Sequence, residues 1–253
     1  MRSLSATHRP SLKDEGELFV GVAGWSLPSR YTAQFPVGES HLERYAQRLN
    51  AVEINSSFYK PHRTATYARW AASTPEGFRF AVKAPQTITH ERRLIHCDTL
   101  LKEFAAEVRG LGAKLGVLLV QLPPSLAFDA TIVSDFLADC RNRISVSVAV
   151  EPRHPSWFTP EVDGRLRELR VSRVAADPRI APSGGKPGGS LDLRYYRWHG
   201  SPKMYHSDYD AATLASLGAE LDDQRASCHS IWCIFDNTAR GAALGNALAM
   251  TKP

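Results

Sequence analysis

A single-domain α/β fold, the eight-stranded TIM (β/α)8 barrel, is predicted by three observations on this 253-residue chain. Eight short runs rich in Val, Ile, Leu, Ala and Phe alternate with segments of helical periodicity. The repeat is roughly 30 residues per unit, which suits eight strand–helix pairs. Most runs are apolar nearly throughout, as parallel strands covered on both faces are. A doubly wound open sheet is the alternative. It should carry a glycine-rich phosphate turn after strand one, and the sequence there reads GVAGWS, not GxGxxG.

The predicted strands are 18–24, 51–56, 78–84, 115–122, 146–152, 171–177, 194–200 and 230–237. Helices fill the intervals. Ser40 and Glu43 have capping-box spacing, with Leu42, Tyr45, Ala46 and Leu49 as one stripe. Asp98 is expected to cap a helix that Gly112 stops. Asp129 precedes another, and Thr159-Pro160 is an N-cap followed by proline at the first helical position. Asp208 is expected to open the next helix, and the last runs from Thr238 to about Met250. The stretch 181–190, APSGGKPGGS, reads as a mobile loop, with a lid role as the weaker option; its Gly-Lys lacks the phosphate-loop spacing.

Residues 18–250 form the expected domain, and 1–17 read as a loose tail without an apolar signal region. No run has the length of a membrane span. Cys97, Cys140, Cys228 and Cys233 fit no zinc or disulfide spacing, so reduced thiols in a cytoplasmic protein are expected. The formal net charge of +5 is spread along the chain. It suits anionic partners and gives nucleic acid little weight. The oligomeric state is open.

In a barrel, reactive groups gather at the carboxyl ends of strands. Strand one ends in Trp25 and strand two in Glu53 and Asn55, followed by Phe58 and Tyr59. Strand three ends in Lys83, with His90 in its loop; strand four ends in Gln121. Strand five ends in Glu151, with Arg153, His154 and Trp157 following. Strand six ends in Asp177, strand seven in Arg197 and His199, strand eight in Asp236 and Asn237, of which Asn237 is expected to face inward. A buried polar group costs about 1–3 kcal/mol unless it is paired, so a ring of them predicts one pocket. Each has a plainer reading. Lys83 could only neutralise Glu53 or Glu151. His154 or His199 could be a satisfied core histidine. Trp25, Trp157, Phe58 and Tyr59 suit pocket walls better than chemistry.

These residues resemble the YecE-like family, domain of unknown function 72. The matching segments are GVAGWSLPSRY (21–31), HLERYAQRLNAVEINSSFYKP (41–61), Trp70, FAVKAPQTITH (80–90), KLGVLLVQLPPS (114–125), AVEPRHPSW (149–157), YYRWHG (195–200) and FDNTARGAALGNA (235–247). The resemblance implies a TIM barrel and supplies no activity. Two positions depart from the family pattern. Asp236-Asn237 stands for an Asn-Asn pair, and Trp198 lies where Phe or Leu is usual.

Three functions compete. The first is an enzyme acting by general acid/base chemistry on a small anionic or phosphorylated substrate. There Glu53 or Glu151 is the base, and His199 or His90 the proton donor. Lys83 is a further catalytic candidate, Arg153 and Arg197 hold the anion, and no metal or other cofactor is required. The second is a metal-dependent nuclease or phosphoesterase, with Glu53, His90, Glu151, His154, Asp177 and His199 as candidate ligands; HxH and HExxH spacings are lacking. The third is a non-catalytic nucleic-acid or protein-binding module.

Overall fold

The computed structural model describes residues 15–251, so the predicted tail falls almost wholly outside the described residues. All eight predicted strands form. One sheet has the order β1 (Glu17–Val22), β10 (Ser230–Phe235), β9 (Leu193–Trp198), β7 (Ala175–Asp177). The other runs β2 (Ala51–Ile54), β3 (Arg79–Lys83), β4 (Leu115–Gln121), β5 (Ser147–Glu151), β6 (Val171–Arg173), β8 (Gly188–Gly189). All pairings are parallel except β8 against β6. The fold is a single mixed α/β domain.

The expected closed barrel is not confirmed, because the strands form two sheets that are not closed at two junctions. The predicted strand 171–177 divides: β6 pairs with β5, Val174 N–H still donates to Val150 carbonyl, and β7 then turns to β9. Between β1 and β2 there is one backbone bridge, Ala23 to Glu53, extended by Gly24 N–H donating to Glu53 carbonyl. Elsewhere side chains fill this seam. The Tyr45 hydroxyl accepts from Val22 N–H and donates to Ala51 carbonyl, each at 2.9 Å. The Asn50 amide accepts from Val20 N–H and donates to Leu18 carbonyl. A Cβ on Gly21 would lie 2.2 Å from the Ala51 carbonyl oxygen, so only glycine permits this approach.

The helices are α1 (His41–Ala46), α2 (Thr64–Ala72), α3 (Asp98–Val108), α4 (Ala130–Arg143), α5 (Pro160–Glu168), α6 (Ala211–Gln224) and α7 (Ala242–Met250). The Ser40–Glu43 capping box and the Asp129 and Thr159 caps form. Three expected starts move. Cys97, not Asp98, occupies the cap of α3; Asp210, not Asp208, caps α6; and α7 begins after Gly241, later than Thr238.

Alternate strand positions separate two apolar layers, as a period of two requires. One set, including Val52, Val82, Leu118, Val148 and Phe235, packs with helix residues such as Leu101, Phe136 and Leu244. The other set, Phe19, Ala51, Ala81, Val117, Ala149, Tyr195 and Trp232 among them, forms its own cluster. Gly116 makes room for Trp232, whose ring would lie 2.5 Å from a Cβ there. The stretch 181–190 is anchored where a mobile loop was expected. It contains β8, and Arg173, itself paired with Asp163, donates to the Ser183 and Lys186 carbonyls.

Candidate functional site

The second side-chain set becomes polar at the carboxyl ends of the strands. Ala51 is followed by Glu53, Ala81 by Lys83, Ala149 by Glu151, Tyr195 by Arg197 and His199, and Trp232 and Ile234 by Asp236. Every one of these polar residues is buried. Arg197 holds them together. Its Nε and Nη2 donate to Glu53 Oε2 and Oε1 at 2.9 and 2.7 Å. Nη1 donates to Glu151 Oε2, and Nη2 lies 3.0 Å from Asp236 Oδ2. Tyr195 adds its hydroxyl to Glu53 Oε2. One guanidinium thus meets three carboxylates, a geometry that suits its planar fork of donors.

His199 extends this network. Nδ1 lies 3.0 Å from Asp236 Oδ2, while Nε2 lies 3.0 Å from Glu151 Oε1 and 2.9 Å from Arg153 Nη2. A protonated Nε2 donates to Glu151; a bare Nε2 accepts from Arg153. Which of the two it bonds depends on the tautomer of the ring. Tyr205 covers the ring edge-on, with centroids 5.7 Å apart, and its N–H donates to the His199 carbonyl.

Electrostatics divide the residues into two groups. Burial opposes the charge of Glu151, yet Arg153, Arg197 and His199 outweigh it and hold that carboxyl well below the usual range. Burial also opposes the charge of Asp236, and Arg197 and His199 again win. Lys83 behaves differently. Burial, reinforced by Arg197, lowers its ammonium to about 8 despite the opposing pull of Glu53, Glu151 and Asp236. Its Nζ stands 4.0 Å from the Phe58 ring centroid. Among the described residues this Nζ makes no ion pair and no hydrogen bond, because the carboxylates are committed to the arginines and the histidine. Arg153 is also underused. Nη2 pairs with Glu151 Oε1 at 2.5 Å, Nη1 meets only the Met204 sulfur, and the buried Nε has no partner.

The sequence and fold have relatives. The family described as "Protein of unknown function DUF72" matches residues 19–253. The chain belongs to the DUF72 family. It is 30% identical to the UPF0759 protein YecE of Escherichia coli K12 over 64% of this chain and 60% of that protein, so the match spans about 60% of that relative's length. It is 25% identical to the UPF0759 protein YunF of Bacillus subtilis over 93% and 94% of the two chains. Among solved structures, a DUF72 family protein of Enterococcus faecalis superposes with TM-score 0.77 at 22% identity, covering 92% of this chain and 94% of its own. One from Thermotoga maritima gives 0.75 at 23%, covering 92% and 97%.

In this DUF72 chain the remaining sequence candidates divide. Gln121 lies beside Glu151 in register, half-buried. Asn55 leaves β2 with Oδ1 buried and unpartnered. His90 packs edge-on against Phe58, which carries Lys83 on its face, and bonds Thr89 through Nδ1. The others stand apart from the Arg197 network. Asn237 turns away from it and donates to the Ser207 carbonyl and to Asn246, which corrects the expected choice over Asp236. Asp177 accepts from the Tyr209 hydroxyl. His154 and Ser156 bond each other at a short turn. Trp157 is wholly buried and donates to the Leu126 carbonyl, so it is core and not pocket wall. Trp25 packs against Trp70, and Tyr59 is 67% exposed.

Sequence reasoning missed Tyr195 and misjudged Asp236. Alternation was the available signal: 195, 197 and 199 share one face, as do 232, 234 and 236. A metal does not fit this donor set. Glu53, Glu151 and Asp236 converge on the Arg197 guanidinium, which already supplies their cation. Among the described residues no group of three or more His, Cys, Asp or Glu is arranged to hold a metal ion. Nor is any described helix long and apolar enough to cross a membrane.

Proposed function

We propose that this protein is an enzyme that binds a small anionic substrate at the carboxyl ends of its strands and moves protons there through Lys83. One observation carries the reading. The carboxylates around Arg197 are paired, while Lys83 and the Arg153 Nε have donors left over. Unspent N–H donors among compensated carboxylates attract an anion with hydrogen-bond acceptors.

The residues then take the following roles. Arg153 and Lys83 hold the substrate anion. Lys83, with its ammonium near 8, passes between acid and base close to neutral pH. Glu53, Glu151 and Arg197 are wholly buried and committed to each other, so they position their neighbours. His199, between Glu151 and Asp236, is the second proton-transfer candidate. The two sheets act as the halves of one TIM barrel, joined through the Tyr45–Asn50 seam and the 171–177 strand. The four unpaired cysteines fit a reducing, cytoplasmic setting.

The test is a thermal-shift series with inorganic phosphate, small carboxylates, sugar phosphates and neutral sugars. An anion present at ten times its Kd adds about 1.4 kcal/mol and raises Tm by about 3–5 °C. Anions are expected to stabilise the wild type but not Arg153→Gln, with neutral sugars silent. Equal response to neutral sugars, or no response to any anion, overturns the reading.

A further inference from the structure

We propose that Lys83 is a nucleophile that forms a Schiff base with a small aldehyde or ketone bearing a carboxylate or phosphate. This deepens the reading above and rests on it. A lysine suited to this chemistry must be sheltered from water, free of a carboxylate partner and able to lose its proton. Lys83 meets each requirement. The side chain is buried and lies against the Phe58 face. The nearby carboxylates are taken by Arg197, Arg153 and His199. Burial, with Arg197 behind it, weakens its hold on the proton.

Lys114 supplies the contrast. Its ammonium is also lowered by burial. Its Nζ, however, donates to the Ala71 and Thr74 carbonyls and approaches Thr74 Oγ1. That is a structural lysine with its donors spent. Lys83 has the lowered ammonium without the bonds.

The step balances without an oxidant or reductant. The free amine of Lys83 attacks the carbonyl carbon, a C–N bond forms, and the carbonyl π pair moves to oxygen. Nζ gives up a proton and the oxygen gains one. A second protonation of the oxygen releases water as the C–O bond breaks, leaving a protonated imine. The positive nitrogen then accepts electrons from a bond on the adjacent carbon, so proton removal or carbon–carbon cleavage there becomes accessible. Arg153 holds the substrate's anionic group, its Nε being the unpartnered donor.

The experiment treats the full chain with glyoxylate, and separately pyruvate, in the presence of cyanoborohydride. Peptide mass spectrometry then locates the reduced adduct, and phosphate competition and thermal shift are run alongside. Lys83 is expected to be labelled on the order of tenfold faster than exposed Lys60, with saturation and with protection by inorganic phosphate. Lys83→Arg and Lys83→Met should both lose that adduct. Labelling at Lys60 and other surface lysines as fast as at Lys83 overturns the proposal. If anions stabilise the wild type and not Arg153→Gln, yet Lys83 stays unlabelled, the Schiff base is overturned and anion binding stands. If neither labelling nor stabilisation occurs, both readings fall.

Discussion

Arg197 and Glu53, 144 residues apart, form a bidentate ion pair with no solvent exposure, at 2.9 and 2.7 Å. The pair links β9 to β2, which lie in different sheets. Arg197→Ala leaves Glu53 and Glu151 buried without their shared cation. The expected loss is about 3–5 kcal/mol in urea unfolding, the cost of orphaning buried charge. A loss below about 1 kcal/mol would show that water reaches these carboxylates, and the buried-network account would fail.

The β1–β2 seam makes a separate prediction. Tyr45→Phe keeps the ring and removes the hydroxyl that serves Val22 N–H and Ala51 carbonyl. Two buried backbone groups lose their partner, and stability should fall by about 1–3 kcal/mol. Hydrogen exchange of the Val22 amide should accelerate in the variant. Unchanged exchange at Val22 would mean that the seam is not held by this hydroxyl.

These two residues also show where sequence reading stopped. The eight strands were legible because each is a β-branched or apolar run. The seam was not, because Tyr45 sits in a helical stripe and its hydroxyl reaches another element. Glu53, Lys83, Glu151, Arg197 and His199 stood out as polar ends of apolar strands. Asn237 was preferred to Asp236 although Trp232 and Ile234 already marked the even positions as one face. Asp177 and Trp157 were misplaced for a common reason. Lying near a strand's carboxyl end does not say which face a side chain takes, and Tyr209 and Leu126 decide those two.

Lys83 should tie stability to alkaline pH. Its ammonium is lowered in the folded state, so between about 8 and about 10.4 the unfolded chain binds more protons than the folded one. Stability therefore gains from this group as pH rises through that window, and the burden is fully present below it. Arg197 adds to that burden, and Glu53, Glu151 and Asp236 relieve part of it. Lys83→Met should be more stable than wild type at pH 7, by on the order of 2 kcal/mol, with the advantage shrinking toward pH 10. Denaturation of both proteins at pH 7 and pH 10 checks it; a pH-independent difference would contradict it.

At the acid end stability again rises with pH, but here the charged groups stabilise the fold. The Glu151 and Asp236 carboxyls are depressed in the folded state, so their stabilisation is present above the unfolded values and declines as pH falls through them. Urea midpoints should decrease steadily below about pH 4.5. A midpoint unchanged down to pH 3 would mean that these carboxyls gain nothing from Arg197 and His199.

A crystal soaked in selenate tests the central claim, that the buried network leaves donors for an anion. Anomalous scattering at the selenium edge distinguishes the bound anion from water or sulfate. The expected result is a selenate within hydrogen-bond distance of Lys83 Nζ and Arg153 Nε, absent from an Arg153→Gln crystal. A well-diffracting soak with selenate bound only elsewhere would contradict the account, and so would a metal ion held by Glu151, His199 and Asp236.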